Sequence, residues 1–459
     1  MDSETKSEMR ELMKLRDYHD SGIAVGDVLL PREGVDLTKW AVVACDQYTS
    51  EPEYWEEVRR FVGDAPSTLN LIYPEVYLGE DQPEKRIAAI RAKMDEYVDS
   101  GILVPHSGVI YLQRRIGDKT RSGLVLCLDL ERYDYRQGST SLIRATEGTI
   151  VERLPPRVKI RRGARLELPH IMVLIDDPAD SVMGPLRDGK QEPMTEIYDF
   201  DLMMGAGHLR AWRLAAGQLE QSLSGSLGEL ADPPQFAKKY GFDDDRPVLL
   251  YAMGDGNHSL ATAKSIWEDL KAEAGGSAEV MQSAKRFALV EVVNLHDDAL
   301  QFEPIHRVIF KIAQDRDLLA ELQAHYQDRF SQHQLGTLAE LTAEVNVSGV
   351  THRIGVVKAD GYAVAEVADP DANLAVGTLQ SFLDGFIKSG GAEDIDYVHG
   401  TEPLTNLGAK PGNMGFYLPP MDKHELFKSV ILDGALPRKT FSMGEAYEKR
   451  FYVECRELS

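Results

Sequence analysis

Residues 248–271 read VLLYAMGDGNHSLATAKSIWEDLK, and three textures follow one another inside that stretch. Val248–Met253 is a short apolar run of strand type, GDGNHS is a polar glycine turn, and the residues from Leu260 onward carry the spacing of an amphipathic helix. A strand that passes through glycines into a helix is a building step of folds that mix the two. It is also a place where ligands bind. Gly254 and Gly256 permit positive φ and close approach of a ligand to the backbone. The first N–H groups of the helix point outward at the positive end of its dipole, which suits an anion. Asp255 or Asn257 is placed to cap that helix, His258 and Ser259 sit at its mouth, and Lys264 lies further along. Asp255 and His258 are close enough to orient one another or to share a metal ion. The plainer alternative is a turn that merely starts a helix, because a Gly-x-Gly pair alone is common. The stretch matches neither the phosphate-loop pattern nor the nucleophile elbow.

On either side the pattern stays mixed. Residues 39–45, KWAVVAC, predict a buried strand, and Ser50, Pro52 and Glu53 predict a helix start. Residues 82–99 predict a charged helix, and Val109–Arg114 with Gly123–Leu130 predict an antiparallel hairpin. Residues 5–18 and 207–222 read as helices and 224–246 as a Gly/Pro/Asp-rich connector. Residues 171–175 and Phe287–Leu295 read as apolar strand-like runs. Beyond about residue 311 helices and short strands alternate, with no internal repeat or low-complexity tract. The expected class is α/β in the mixed α+β sense, with a core region over 20–310 and a smaller C-terminal α/β domain over 311–459.

Composition narrows the function. The net charge is −23, from 74 acidic and 51 basic side chains. Nucleic acid and anionic membrane surfaces are expected to repel such a chain, so neither is an expected partner. Cys45, Cys127 and Cys455 are scattered and odd in number, which fits a reducing, cytoplasmic setting rather than a disulfide framework. The first residues lack the apolar core of a secretory signal, and no apolar run is long enough for a membrane span.

Other segments could supply chemistry. Residues 144–170 are rich in arginine, and Arg144, Arg153, Arg157 and Arg161 lie near Glu147, Glu152 and Glu167. They offer either forks for phosphate or an internally paired charge ladder on strands. Asp46 follows an apolar run and reads as a strand-end ligand residue or a cap. His306 and Arg307 are a structural pair or an anion contact, His170 reads as structural, and Arg438, Lys439 and Thr440 form a polar cluster.

Several motifs then coincide: VVACDQYTSEPEYW from Val42, ATEGT at 145–149, GDGNHSLATAK at 254–264, FEPIHRVIF at 302–310, DYVHG at 396–400 and LPRKTFSMGEAYEKRF at 436–451. In order and spacing the chain resembles the DUF 1015 family of bacterial and archaeal proteins over nearly its whole length. It departs where that family has Asp-Gly-His-His-Arg: Asp255, Gly256 and His258 match, while Asn257 and Ser259 replace the first His and the Arg. Thr146 stands where the family has His, while Glu147 and Thr149 match. The turn is in turn similar to the phosphate-contacting turn of the ParB and sulfiredoxin-like superfamily, which includes kinases of free serine.

That resemblance implies a ParB/sulfiredoxin-like core and an enzyme, a phosphotransferase, acting on a small phosphorylated molecule or nucleotide. The concrete form is phosphoryl transfer to or from a hydroxy-amino acid such as serine, with magnesium and a nucleotide (ATP or ADP). Asp255, His258 and Asp46 are the expected catalytic residues. Gly254, Gly256, Asn257, Ser259, Arg144, Glu147, His306 and Arg307 are the expected phosphate or nucleotide contacts. The rival expectation is a nucleotide-sensing or DNA-partition-like binding protein without catalysis. A sulfiredoxin-like reductase is disfavoured by the absence of a cysteine from the turn.

Overall fold

A computed structural model describes residues 15–189, 194–243 and 245–458. The described residues divide into two units, one reaching to Leu300 and resuming at Gly444, the other made of Gln301–Met443.

The main elements of the first unit run, in chain order, α1 (Pro52–Val62), α2 (Pro83–Asp99), β1 (Ile110–Ile116), β2 (Lys119–Asp129), β3 (Tyr133–Asp134), β4 (Ile143–Arg144), α3 (Leu154–Arg161), β5 (Met172–Ile175), β6 (Met194–Asp201), β7 (His208–Leu214), α4 (Gln218–Leu230), α5 (Pro233–Tyr240), β8 (Tyr251–Asp255), α6 (Asn257–Glu273) and β9 (Phe287–Asn294). The sheet order is β6-β7-β1-β2-β9-β5-β8-β4-β3. Neighbours are antiparallel from β6 to β9; β9 and β5 run parallel, β5 and β8 antiparallel, and β8, β4 and β3 parallel. The fold is therefore mixed α/β, as the alternating textures of the sequence predict. Along β2, Val125 and Cys127 enter one apolar core while Leu124, Leu126 and Leu128 enter another, so the strand is covered on both faces. Trp40 and Trp55 fill the first core, and Trp267 on α6 fills the second.

Several local expectations are corrected. Residues 207–222 are not one helix: Leu209 and Ala211 alternate inward on strand β7, and the helix begins only at Gln218. The expected connector at 224–246 is largely helical, because Asp232 accepts from the Gln235 N–H, a proline follows in the first turn, and Gly241 ends α5 in the left-handed conformation. Within 39–45 only Val42–Val43 is strand, preceded by a helical turn capped by Asp36. Helix α1 starts at Pro52 with Glu51, not Ser50, at the capping position. In the arginine-rich span Leu154–Arg161 forms helix α3, Arg144 and Leu166–Glu167 lie on short strands, and Arg161 pairs with Glu167. Arg16–Tyr18 is strand, and the rest of the helix expected over 5–18 lies outside the described residues apart from Leu15. The hairpin forms as expected, with Ile116 paired to Lys119.

Residues 444–459, which the sequence reading grouped with 311–443, build into the first unit. Phe451–Tyr452 pairs with Val42–Val43, and Arg456–Glu457 pairs with Leu166–Glu167. The tail is apolar enough, through Phe451, Tyr452, Val453 and Cys455, to belong to that unit's core.

The second unit has its own antiparallel sheet, ordered Phe330–Leu335, Gly361–Val367, His352–Lys358, Met414–Tyr417, Phe302–Ile312 and Ala392–His399. Helices Leu318–Tyr326 and Ala375–Lys388 contribute to one apolar cluster beside it, and Leu338–Val345 and Thr401–Gly408 to another. Among the described residues no helix is long and apolar enough to cross a membrane.

Candidate active site at the Asp255–Gly256 turn

β8 carries Gly254 and ends at Asp255, so Gly254 is a strand residue and only Gly256 takes positive φ. Gly256 has φ 79° and ψ 27°, and a Cβ there would lie 3.1 Å from the Cα of Ile171. Only glycine meets both conditions without strain. Neither expected cap forms. Gly256 itself holds the capping position of α6 with no side-chain bond, while the Asp255 carboxylate accepts from the Gly256 N–H at 2.9 Å. The buried Oδ1 of Asn257 has no hydrogen-bond partner among the described residues. Thr146 donates its hydroxyl proton to the Met253 carbonyl at 2.7 Å, which ties the segment carrying Glu147 to the end of β8.

Sheet pairing and the tail bring other polar groups to this turn. Met172 at the start of β5 pairs with Asp255, so His170 arrives beside it. The Ala44 N–H donates to the Arg450 carbonyl, and the pairing of Val42–Val43 with Phe451–Tyr452 places Asp46 near Lys449 and Tyr452. The Lys449 ammonium lies 3.2 Å from the Asp255 carboxylate. Burial opposes the charge on Asp255, but Lys449, His170 and the Gly256 N–H outweigh it and hold the carboxyl below its usual range.

A second line of polar contacts runs alongside. The Cys45 N–H donates to the Tyr452 hydroxyl at 3.2 Å, and that hydroxyl lies 2.7 Å from His170 Nδ1. With one hydroxyl lone pair engaged by the Cys45 N–H, the phenol proton is free to point at Nδ1. In that arrangement Nε2 carries a hydrogen. Nε2 faces the Asp46 carboxylate at 3.8 Å, a gap that one bridging hydroxyl would close. Asp46 also accepts from the Gln47 side-chain amide at 3.0 Å. Glu75, whose N–H donates to the Cys45 carbonyl, pairs with Arg157 at 2.6 Å. Burial and the nearby Asp46 push the Glu75 carboxyl up against the pull of Arg157. The Cys45 thiol is pushed far up, by burial first and then by Asp46 and Glu75, so it is no thiolate nucleophile.

The structure thus brings two of the expected catalytic residues, Asp255 and Asp46, into one cluster, joined by His170, Lys449, Tyr452, Glu75 and Arg157. His258 and Ser259 lie half-buried on the first turn of α6. Other residues singled out in the sequence are engaged with partners of their own. The Arg144 guanidinium donates to the carbonyls of Ser141, Pro247 and Val248, and burial lowers its pKa to about 10. Lys264 donates to the Leu130 carbonyl and pairs with Glu268. His306 and Arg307 belong to the second unit. There, His306 Nδ1 accepts from the Leu418 N–H, and Arg307 donates to the Gln380 side chain and the Arg438 carbonyl. Asp17, His19 and Asp129 are the only three-residue group among the described residues with the spacing of a metal site, and Arg286 already pairs with both aspartates.

Lys449 and Tyr452 escape local pattern reading because they reach the turn from nearly 200 residues further along the chain. The signal available was Lys449-Arg450, two charges abutting the apolar run FYVEC inside a motif shared with the resembled family.

Among solved structures, a free serine kinase in complex with AMP aligns over 72% of this chain and 90% of its own, with 9% identity and a TM-score of 0.36. A conserved hypothetical protein from Pyrococcus furiosus aligns over 73% and 95%, with 10% identity and a TM-score of 0.35. SbnI from Staphylococcus aureus, with a C-terminal truncation, aligns over 70% and 82%, with 10% identity and a TM-score of 0.32. No curated protein matches the sequence. A family model does match, over residues 29–386, which takes in Asp46, Glu75, Arg157, His170 and the Asp255 turn: the chain belongs to the family described as protein of unknown function (DUF1015).

Proposed function

We propose that this protein is an enzyme that transfers a phosphoryl group between a nucleotide and a small hydroxylated substrate. The observation that carries the reading is the meeting, at one glycine turn, of an Asp255–Lys449 pair with the Tyr452–His170–Asp46 line. Phosphoryl transfer asks a protein mainly for positioning and for positive charge around the phosphate. Lys449 and the positive end of α6 supply that charge, in place of the guanidinium expected at position 259. Asp46, with the Nε2 hydrogen of His170 opposite, brackets a substrate hydroxyl and takes its proton. The hydroxyl oxygen forms the new bond to phosphorus as the bond from phosphorus to the bridging oxygen of the nucleotide breaks. Asp255 would hold a magnesium ion at this turn, and such an ion would supply further positive charge to the phosphate. A free hydroxy-amino acid such as serine is the substrate class implied by the resemblance of the turn.

Incubation with ATP or ADP, magnesium and a panel of hydroxy-amino acids, followed by phosphorus NMR, tests the reading. Transfer is expected, and Asp46→Asn or Lys449→Met is expected to cut kcat/KM by about 100-fold or more. Absence of nucleotide binding by calorimetry together with absence of turnover would end it.

A further inference from the structure

Behind the turn, within the first unit, lies a small cavity lined by Arg114, Arg121, Tyr198, Glu291, Arg450 and Glu454. All six are nine-tenths or more buried. Their pairing is incomplete. Arg450 pairs with Glu291 and with Glu454 (2.6 Å to the latter), and Tyr198 donates to Glu454 at 2.6 Å. Arg121 reaches Glu291 only at 3.5 Å. Arg114 spends both amino groups on backbone carbonyls, those of Lys449, Ala206 and Tyr447, and pairs with no carboxylate among the described residues. Three guanidiniums therefore face two carboxylates, one positive charge in excess. The Nε–H groups of Arg114 and Arg121 are buried donors without an acceptor among the described residues. Burial and the neighbouring Arg121 and Arg450 lower the Arg114 pKa to about 9, against the pull of Glu291 and Glu448, which is the signature of a cation short of counter-charge.

Buried donors need acceptors, and a buried charge needs a partner. A neutral water would satisfy a donor and leave the charge. We infer that the cavity beside Arg114 and Arg121 binds one small monovalent anion of the chloride class. The anion accepts from the orphaned Nε–H groups and brings the cluster to neutrality. The site is independent of the phosphoryl-transfer reading, since none of its six side chains is assigned a role at the turn.

Thermal unfolding in potassium chloride, potassium bromide and potassium gluconate at matched ionic strength reads this directly. Halide is expected to raise Tm with the logarithm of its concentration, and gluconate, too large for the cavity, is not. Arg121→Met removes an excess cation whose carboxylate partner among the described residues is distant, so this variant is expected to fold and to lose the halide-specific rise. Arg114→Met, which also abandons three carbonyls, is the second variant. Crystals grown in bromide are expected to show an anomalous peak beside Arg114 and Arg121. Equal Tm in chloride and gluconate, a halide rise unchanged in Arg121→Met, or a peak absent from bromide crystals would overturn the inference.

Discussion

Gly256 carries two demands at once, a left-handed backbone and a close approach to Ile171. Gly256→Ala is expected to lower stability by about 1–3 kcal/mol, read from urea denaturation, because alanine meets both the φ penalty and the contact. That requirement is visible in the sequence, where a glycine stands between an apolar run and a helix. The role of His170 is not visible there. It follows a proline and precedes an apolar run, and only the pairing of Met172 with Asp255 shows what it faces. His306 is the converse case. Burial, Arg307 and His399 lower its pKa from 6.5 to about 4, so the folded chain holds it neutral while the unfolded chain protonates it. Its contribution is complete above pH 6.5 and is lost as the pH falls toward 4, by roughly 3 kcal/mol in all. Chemical denaturation of the wild type and of His306→Gln across that window checks this: the variant is expected to show the flatter profile.

At the level of elements, the reading succeeds where apolar runs are long and bounded by clear turns, and fails where a short run fits two periodicities. The β1–β2 hairpin was legible as two strand-like runs joined by a polar turn, although β2 is buried on both faces, and α6 by its helical apolar spacing. β7 was not, since HLRAWRL has few enough apolar residues to satisfy a helical spacing as well as an alternating one. The arginine-rich span shows how composition misleads about roles. Arg144 looks like a phosphate clamp in sequence, yet it fastens β4 to the chain entering β8. Arg144→Met is expected to cost about 1–3 kcal/mol of stability, because carbonyls lose their donor, and to leave nucleotide affinity unchanged in calorimetry. A large fall in affinity with stability intact would restore the clamp.

For the molecule as a whole, the division into units was only partly readable. The change in texture near residue 311 marks a boundary, and the units divide at Gln301. The return of residues 444–459 to the first unit has no local signal beyond an apolar tail. Its registration against Val42–Val43 is a pairing over some 400 residues. A fragment of residues 301–443 is expected to fold alone, since it holds its own sheet and apolar clusters. A chain ending at Met443 is expected to lose the cooperative unfolding of the first unit. Circular dichroism melts of the two fragments would distinguish them, and a stable first unit in the shortened chain would contradict the expectation.

The interleaving of the two units also sets an order of assembly. During translation, Val42 and Val43 emerge long before Phe451 and Tyr452 are made, so the first unit waits for its last strands while the chain of the second is being built. Until that segment emerges, the apolar partners of Phe451 and Val453 stay open to chaperones and proteases, and the Asp255 turn lacks its ammonium. The portion of the chain made first thus stays unfinished until residues encoded some 400 positions later reach it.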